Sequence, residues 1–125
     1  MWTNLLWLAL AGAAGTLARY GLQGLVQSAT GASFPWGTFA VNALGCFVFG
    51  IVWALGGERA ILSPGVRSVI LVGFMGAFTT FSSLAAESGR LLGDAEWALG
   101  LGNVLLHNVT GIGLFYAGLA FGRWV

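Results

Sequence analysis

The sequence predicts an all-α membrane protein of four transmembrane helices, the third broken mid-span. Three observations carry that fold class. The 125-residue chain is 58% hydrophobic and only 7% charged, against about 25% charged residues in an ordinary soluble domain, so it lacks the groups to build a water-facing surface. Four apolar stretches stand out, at roughly residues 2–26, 35–55, 66–91 and 96–121, and each reaches the ~20 residues that a spanning helix needs. The third stretch contains "GFMGAFTTFSS", Gly73 to Ser83, a cluster of glycines and hydroxyls set in apolar sequence.

The first stretch lacks a positive leading region, and its small residues run on into Arg19, Tyr20 and more apolar sequence. It reads as a retained helix rather than a cleaved leader. The second and third stretches follow Pro35 and Pro64, placed where a helix begins and a missing N–H costs nothing. The connectors "QSATGAS", "GGERAILSP" and "LLGDA" are short, and the whole of 1–125 reads as a single integral membrane domain. Trp2, Trp36, Trp97 and Trp124 lie near span ends, as expected of an interfacial aromatic belt.

Twenty-one glycines in so short a chain imply close helix contacts. Ala11 and Gly15, and Gly118 and Gly122, are spaced by four, which lets helix backbones approach in lipid. Four short helices leave little protein to enclose a pathway, so a dimer or larger assembly is expected. The side shared by the N-terminus, the second connector and the C-terminus carries Arg59, Arg67 and Arg123, and the other carries Arg90 with Arg19 near the end of the first span. That bias is shallow, and it permits insertion in both orientations as well as in one.

Several function classes are excluded or disfavoured. A formal net charge of +1, with five arginines and no lysine, gives no nucleic-acid footprint. One cysteine, Cys46, and one histidine, His107, allow neither an intrachain disulfide nor a zinc site. No nucleophile–base–acid set and no phosphate-binding loop are present, so an enzyme is not expected. No protein partner motif occurs, and membrane lipid is the surrounding phase.

Gly73 and Gly76 weaken a helix by roughly 1 kcal/mol each relative to alanine. Thr79 and Thr80 can divert backbone hydrogen bonds to their side chains. Together they permit a break, which is tolerated at membrane depth only where protein or a polar cavity covers it. Freed carbonyls would suit a cation, while freed N–H groups and hydroxyls would suit an anion. The alternative is a kinked helix whose hydroxyls bond back to the preceding turn. On a continuous helix Thr79, Ser83 and Glu87 share one face, with Thr80 and Ser82 flanking it. Phe78 and Phe81 also flank it, and a phenyl ring presents a positive edge. Arg19 is costly in lipid and either holds an anion at an entrance or pairs with an acid or a helix end. Asn42 and Asn108 either donate to an anion or bond between helices.

The blocks "GAAGTLARY" (12–20), "PWGTFAVNALGCFVFG" (35–50) and "GFMGAFTTFSSLAAE" (73–87), with "NVLLHNVTGIGLF" in the last span, resemble the signature blocks of the bacterial fluoride channels called Fluc or CrcB. The resemblance covers the chain from first helix to last. It implies an antiparallel, dual-topology homodimer with two fluoride pores, exporting fluoride passively across the cell inner membrane. It also implies a structural Na+ ion at the dimer interface, held by the backbone carbonyls of Gly76 and Thr79. By motif position the anion pathway maps to Asn42, Thr80, Phe81, Ser82, Ser83, residue 84 and Glu87, with Arg19 near the vestibule. Family members commonly read T-T-F-S-T-F where this chain reads "TTFSSL". Ser83 keeps the hydroxyl, but Leu84 does not keep the second ring.

Two other functions compete. A small proton-coupled multidrug exporter has four spans and similar size, but it needs a membrane-buried acid in its first helix, and the first span here has none. A non-transporting membrane scaffold would use the polar stripe for helix packing alone.

Overall fold

The computed structural model describes residues 2–125, with side chains from residue 4 onward; the side chain of Trp2, expected in the aromatic belt, lies outside the described residues. Helix α1 spans Trp2–Thr30 and α2 spans Trp36–Trp53, continued by a wide π-type turn over Ala54–Glu58. Helix α3 occupies residues 64–78 and includes a wide π-type stretch over Val69–Met75. Helices α4 (Phe81–Gly93) and α5 (Trp97–Trp124) follow, with no strand among the described residues. Four segments are long and apolar enough to cross a membrane: Asn4–Thr30, Trp36–Glu58, Pro64–Gly93 and Trp97–Trp124. The chain is thus a multi-pass helical protein, and α3 and α4 are the two halves of its third span.

Helix ends follow from local chemistry. Helix α1 runs through "QSAT", which the sequence suggested as connector. Ser28 and Thr30 return their hydroxyls to the carbonyls of Leu25, Val26 and Gln27, so they cost the helix no unpaired group. Gly31, at φ +58°, ends it. Gln27 then fastens the turn: its amide nitrogen donates to the Ala32 and Phe34 carbonyls, and its oxygen accepts from the Gly37 amide. Ser63 caps α3 by accepting from Val66 N, with Pro64 at the first helical position. At the far end of the bundle Arg123 grips Glu58 through two bonds of 2.6 and 2.7 Å, and Arg59 donates to the Gly122 carbonyl at 3.2 Å. Trp36, Trp97 and Trp124 stand exposed at helix ends.

Small residues set the packing. Helices α2 and α5 form a long seam in which Gly118 faces the Phe47 backbone and Gly50 faces Phe115, while Gly122 lies against Ile51 and Ala54. Helices α1 and α3 meet the same way, with Gly15 on the Phe74 carbonyl and Gly73 against Ala11 and Leu8. The core is thin: Val41, Val52, Leu71, Met75 and Phe78 form its buried cluster. Long apolar side chains such as Leu17 and Val109 point outward, as a lipid-facing surface requires.

A methyl group on Gly118 would collide with the Phe47 carbonyl, which is backbone and cannot swing aside. Gly118→Ala is expected to destabilise the fold by about 1–3 kcal/mol, read as a lower thermal midpoint in detergent. Gly102→Ala, where an added methyl meets nothing within 4 Å, is expected to leave the midpoint unchanged or raise it.

Candidate functional site

The third span breaks at Thr79 and Thr80, whose backbones are extended at φ −83°, ψ 158° and φ −149°, ψ 110°. Thr79 closes α3 by sending both its amide and its hydroxyl to the Met75 carbonyl, at 3.0 and 2.9 Å. The Thr80 amide bonds Asn42 Oδ1 at 2.8 Å, and Asn42 Nδ2 donates to the Thr80 carbonyl at 3.0 Å. One side chain of α2 therefore satisfies both backbone groups of Thr80. On the other side Arg19 of α1 donates from Nε to the Ala77 carbonyl at 3.0 Å, placing a cation at the negative end of α3.

Thr80 opens the second half-helix. Its Oγ1 accepts from the Ser83 amide at 3.2 Å, an N-cap, and lies 3.0 Å from the Ser83 hydroxyl and 3.2 Å from that of Ser82. Three hydroxyls thus gather at the N-terminus of α4. The carbonyls of Gly76, Phe78 and Thr79 accept no hydrogen bond among the described residues, because the helical donors they would meet lie across the break.

Two sequence-based placements need correction. The face shared by Thr79, Ser83 and Glu87 presumes a continuous helix. The break leaves Thr79 outside α4, with its hydroxyl turned back to Met75 and its methyl against Gly45. Phe78 does not flank a polar track: it is buried, stacked on Phe74 at 5.7 Å between centroids. Phe81, by contrast, is 79% exposed, and Leu84 is buried.

Asn42, Thr80, Phe81 and Leu84 come together on one open groove of about 600 Å³, with His107, Asn108 and Tyr116 of α5 on its opposite wall. Glu87 lines a different cavity, of about 590 Å³, with Tyr20, Gln23 and Arg90. Its Oε1 accepts from the Thr38 hydroxyl at 2.6 Å, and Gln23 Nε2 donates to the same hydroxyl oxygen at 3.1 Å. Arg19 lines neither cavity. Asn108 bonds back to the Val104 carbonyl of its own helix.

Sequence reasoning passed over Thr38, Gln23, Ser88 and Asn103. A signal existed for two of them: Thr38 precedes Asn42 by four residues, and Asn103 precedes His107 by four, so each pair shares a helix face. Gln23 and Ser88 carry no such mark.

Residues 6–119 match the family model described as CrcB-like protein, Camphor Resistance (CrcB). The chain belongs to the CrcB family. Curated members of this family resemble it along nearly its whole length. A protein of Nitrosococcus oceani is 50% identical over 123 residues, 98% of each chain. One of Solidesulfovibrio magneticus is 54% identical over 118 residues, 94% of each, and one of Nitratidesulfovibrio vulgaris is 53% identical over 121 residues, 94% of this chain and 95% of that one. All three bear the name fluoride-specific ion channel FluC. These CrcB relatives are named as channels and not as enzymes, in agreement with the sequence reading.

The break in this CrcB chain rests on Asn42. Asn42→Ala strands the amide and the carbonyl of Thr80, a residue only 8% exposed. The expected cost is about 1–3 kcal/mol, seen as easier denaturation in detergent, with faster hydrogen exchange confined to the amides around Thr80.

Proposed function

We propose that this CrcB-family chain is a fluoride-selective channel that exports fluoride passively across the bacterial inner membrane. The supporting observation is the groove beside the break, read together with relatives of the same length that are named fluoride-specific channels. Fluoride is small and strongly hydrated, so a pathway must replace its water in stages and still release it. The unspent N–H of the Asn42 amide and the edge of Phe81 face that groove beside Thr80, and the hydroxyls of Ser82 and Ser83 stand next to Thr80 without lining it, neutral groups of that kind. Leu84 adds shape there but no ring edge. Arg19, fixed on the Ala77 carbonyl, adds positive potential near the break without entering the groove.

In this reading two subunits assemble in antiparallel orientation and enclose two pathways. The groove is open in one subunit, and the exposed Phe81 ring needs a cover that a second copy supplies. A structural Na+ belongs at the interface. The fit is good, because the Gly76 and Thr79 carbonyls lack donors and Gly76 is exposed on the subunit surface. Those two residues would hold the ion, and its charge would offset the repulsion between carbonyl dipoles facing one another.

Liposomes containing the purified protein are expected to lose fluoride and retain chloride; equal loss of both rejects selectivity. Phe81→Ala removes an edge contact of about 1 kcal/mol and is expected to slow fluoride several-fold with the fold intact. Leu84→Phe, run alongside, reports what the missing ring contributes. A separate expectation concerns the cation. Replacing sodium by a large organic cation should weaken the subunit pair, seen as monomer on size-exclusion chromatography.

A further inference from the structure

One end of the bundle is basic and only partly neutralised. Arg59 in the second connector, Arg67 early in α3 and Arg123 at the close of α5 gather there with a single acid, Glu58. Arg123 takes both oxygens of Glu58, so that acid is spent. Arg59 reaches the Gly122 carbonyl. The Arg67 guanidinium has neither an ion pair nor a hydrogen bond among the described residues. It lies over the Trp53 ring instead, 4.5 Å from the centroid.

Arg67 is held in place rather than trailing in solvent. Its stem packs on Gly56, where an added methyl would stand 3.0 Å from Cδ and 3.2 Å from Cγ. Attraction between the cation and the indole face fixes the guanidinium. A methyl on Gly57 would stand 3.6 Å from Arg67 Nη1 and 3.7 Å from Trp53 Nε1. Both nitrogens thus border one notch, which opens outward because Gly57 is exposed. The Trp53 ring is engaged by Phe49 and Arg67, but its N–H has no acceptor among the described residues, and an indole nitrogen can only donate. Two donors this close to one point can be bridged by two oxygens of a single phosphate, a group that also suits the guanidinium fork.

Position selects the source of the phosphate. Trp53 and Arg67 lie at the ends of two membrane-crossing segments, Trp36–Glu58 and Pro64–Gly93, the level at which interfacial tryptophans meet lipid headgroups. Ile61 and Val66 beside them are 59% and 48% exposed, an apolar flank suited to acyl chains and ill suited to water. The opposite end of the bundle differs in charge: Arg90 is paired with Asp94 at 3.6 Å, and Glu96 follows.

We propose that Arg67, Trp53 and the Gly57 notch form a binding site for the phosphate of an anionic phospholipid. Arg59 adds positive potential, and Ile61 and Val66 flank the acyl chains. The site stands whether or not the chain conducts fluoride.

The test is native mass spectrometry of the detergent-solubilised protein titrated with phosphatidylglycerol, with phosphatidylcholine of the same chains, and with inorganic phosphate. Wild type is expected to bind phosphatidylglycerol several-fold more tightly than phosphatidylcholine. Arg67→Gln is expected to weaken that binding roughly fivefold, the effect of about one basic residue at an anionic surface. Trp53→Phe keeps a ring under the guanidinium and removes the N–H. Gly57→Ala fills the notch at ordinary contact distance. Each is expected to weaken binding by at least roughly twofold, with an unchanged elution profile. Arg90→Gln, at the other end, should leave binding unchanged. Equal affinity for the two lipids, or losses no greater than that of Arg90→Gln, would overturn the site. Inorganic phosphate that displaces the lipid at equal concentration would overturn its assignment to a phospholipid. Where Arg67→Gln fails to fold, Trp53→Phe and Gly57→Ala decide alone.

Discussion

The two hydrogen bonds between Asn42 and Thr80 are the constraint on which the rest of the site depends. A broken helix inside a bilayer has to settle its loose backbone groups within the protein. Here one amide side chain accepts from the Thr80 N–H and donates to its carbonyl, so Thr80 costs little, while Thr79 settles its amide on the Met75 carbonyl and keeps its own carbonyl without a donor among the described residues. With Thr80 fixed, its hydroxyl is free to cap α4 and gather Ser82 and Ser83. Phe81 is then turned outward into the groove and Leu84 inward. Remove the clamp, and the positions of five neighbouring side chains lose their common reference.

The two halves of the third span also divide the labour of packing. Helix α3 lies on α1, where Gly15 and Gly73 allow backbone contact, and Phe74 and Phe78 stack in the core. Helix α4 packs on α5 through smaller, polar contacts such as Ser88 with Asn103. The apolar half anchors the span, and the polar half faces the cavities. That arrangement explains how one span can be both a structural member and the wall of the groove beside Asn42.

Much of this was legible in the sequence. Four spans follow from apolar length and low charge, and Gly73, Gly76 and the paired threonines mark where the third span departs from a regular helix, because those residue types weaken helices by local means, while leaving a break and a kink both open. Helix contacts at Gly15, Gly118 and Gly122 could be read from spacing alone. What escaped depends on geometry that the break itself creates. Thr79 and Ser83 share a face only on an unbroken helix, so periodicity misplaced Thr79. Phe78 and Phe81 are three apart, yet one is buried and the other exposed, because the extended residues between them reset the phase. The Gln23–Thr38–Glu87 chain joins three helices, and its members are too far apart in sequence for any local pattern to link them. The first connector was misjudged because "QSAT" looks like a loop, whereas Ser28 and Thr30 fold their hydroxyls onto the helix and let it continue.

The glycine seams have a consequence for how such a chain can change over time. Gly50, Gly118 and Gly122 lie against backbone atoms of the facing helix, and an inserted or deleted residue would turn everything beyond it by about a quarter-turn. Side chains would then enter slots with room for none. Drift in α2 and α5 is therefore confined to exchange of residues on the lipid face, and length variation is driven into the connectors and the tails. The bundle keeps its register much as a zip does, by teeth that fit at one offset only.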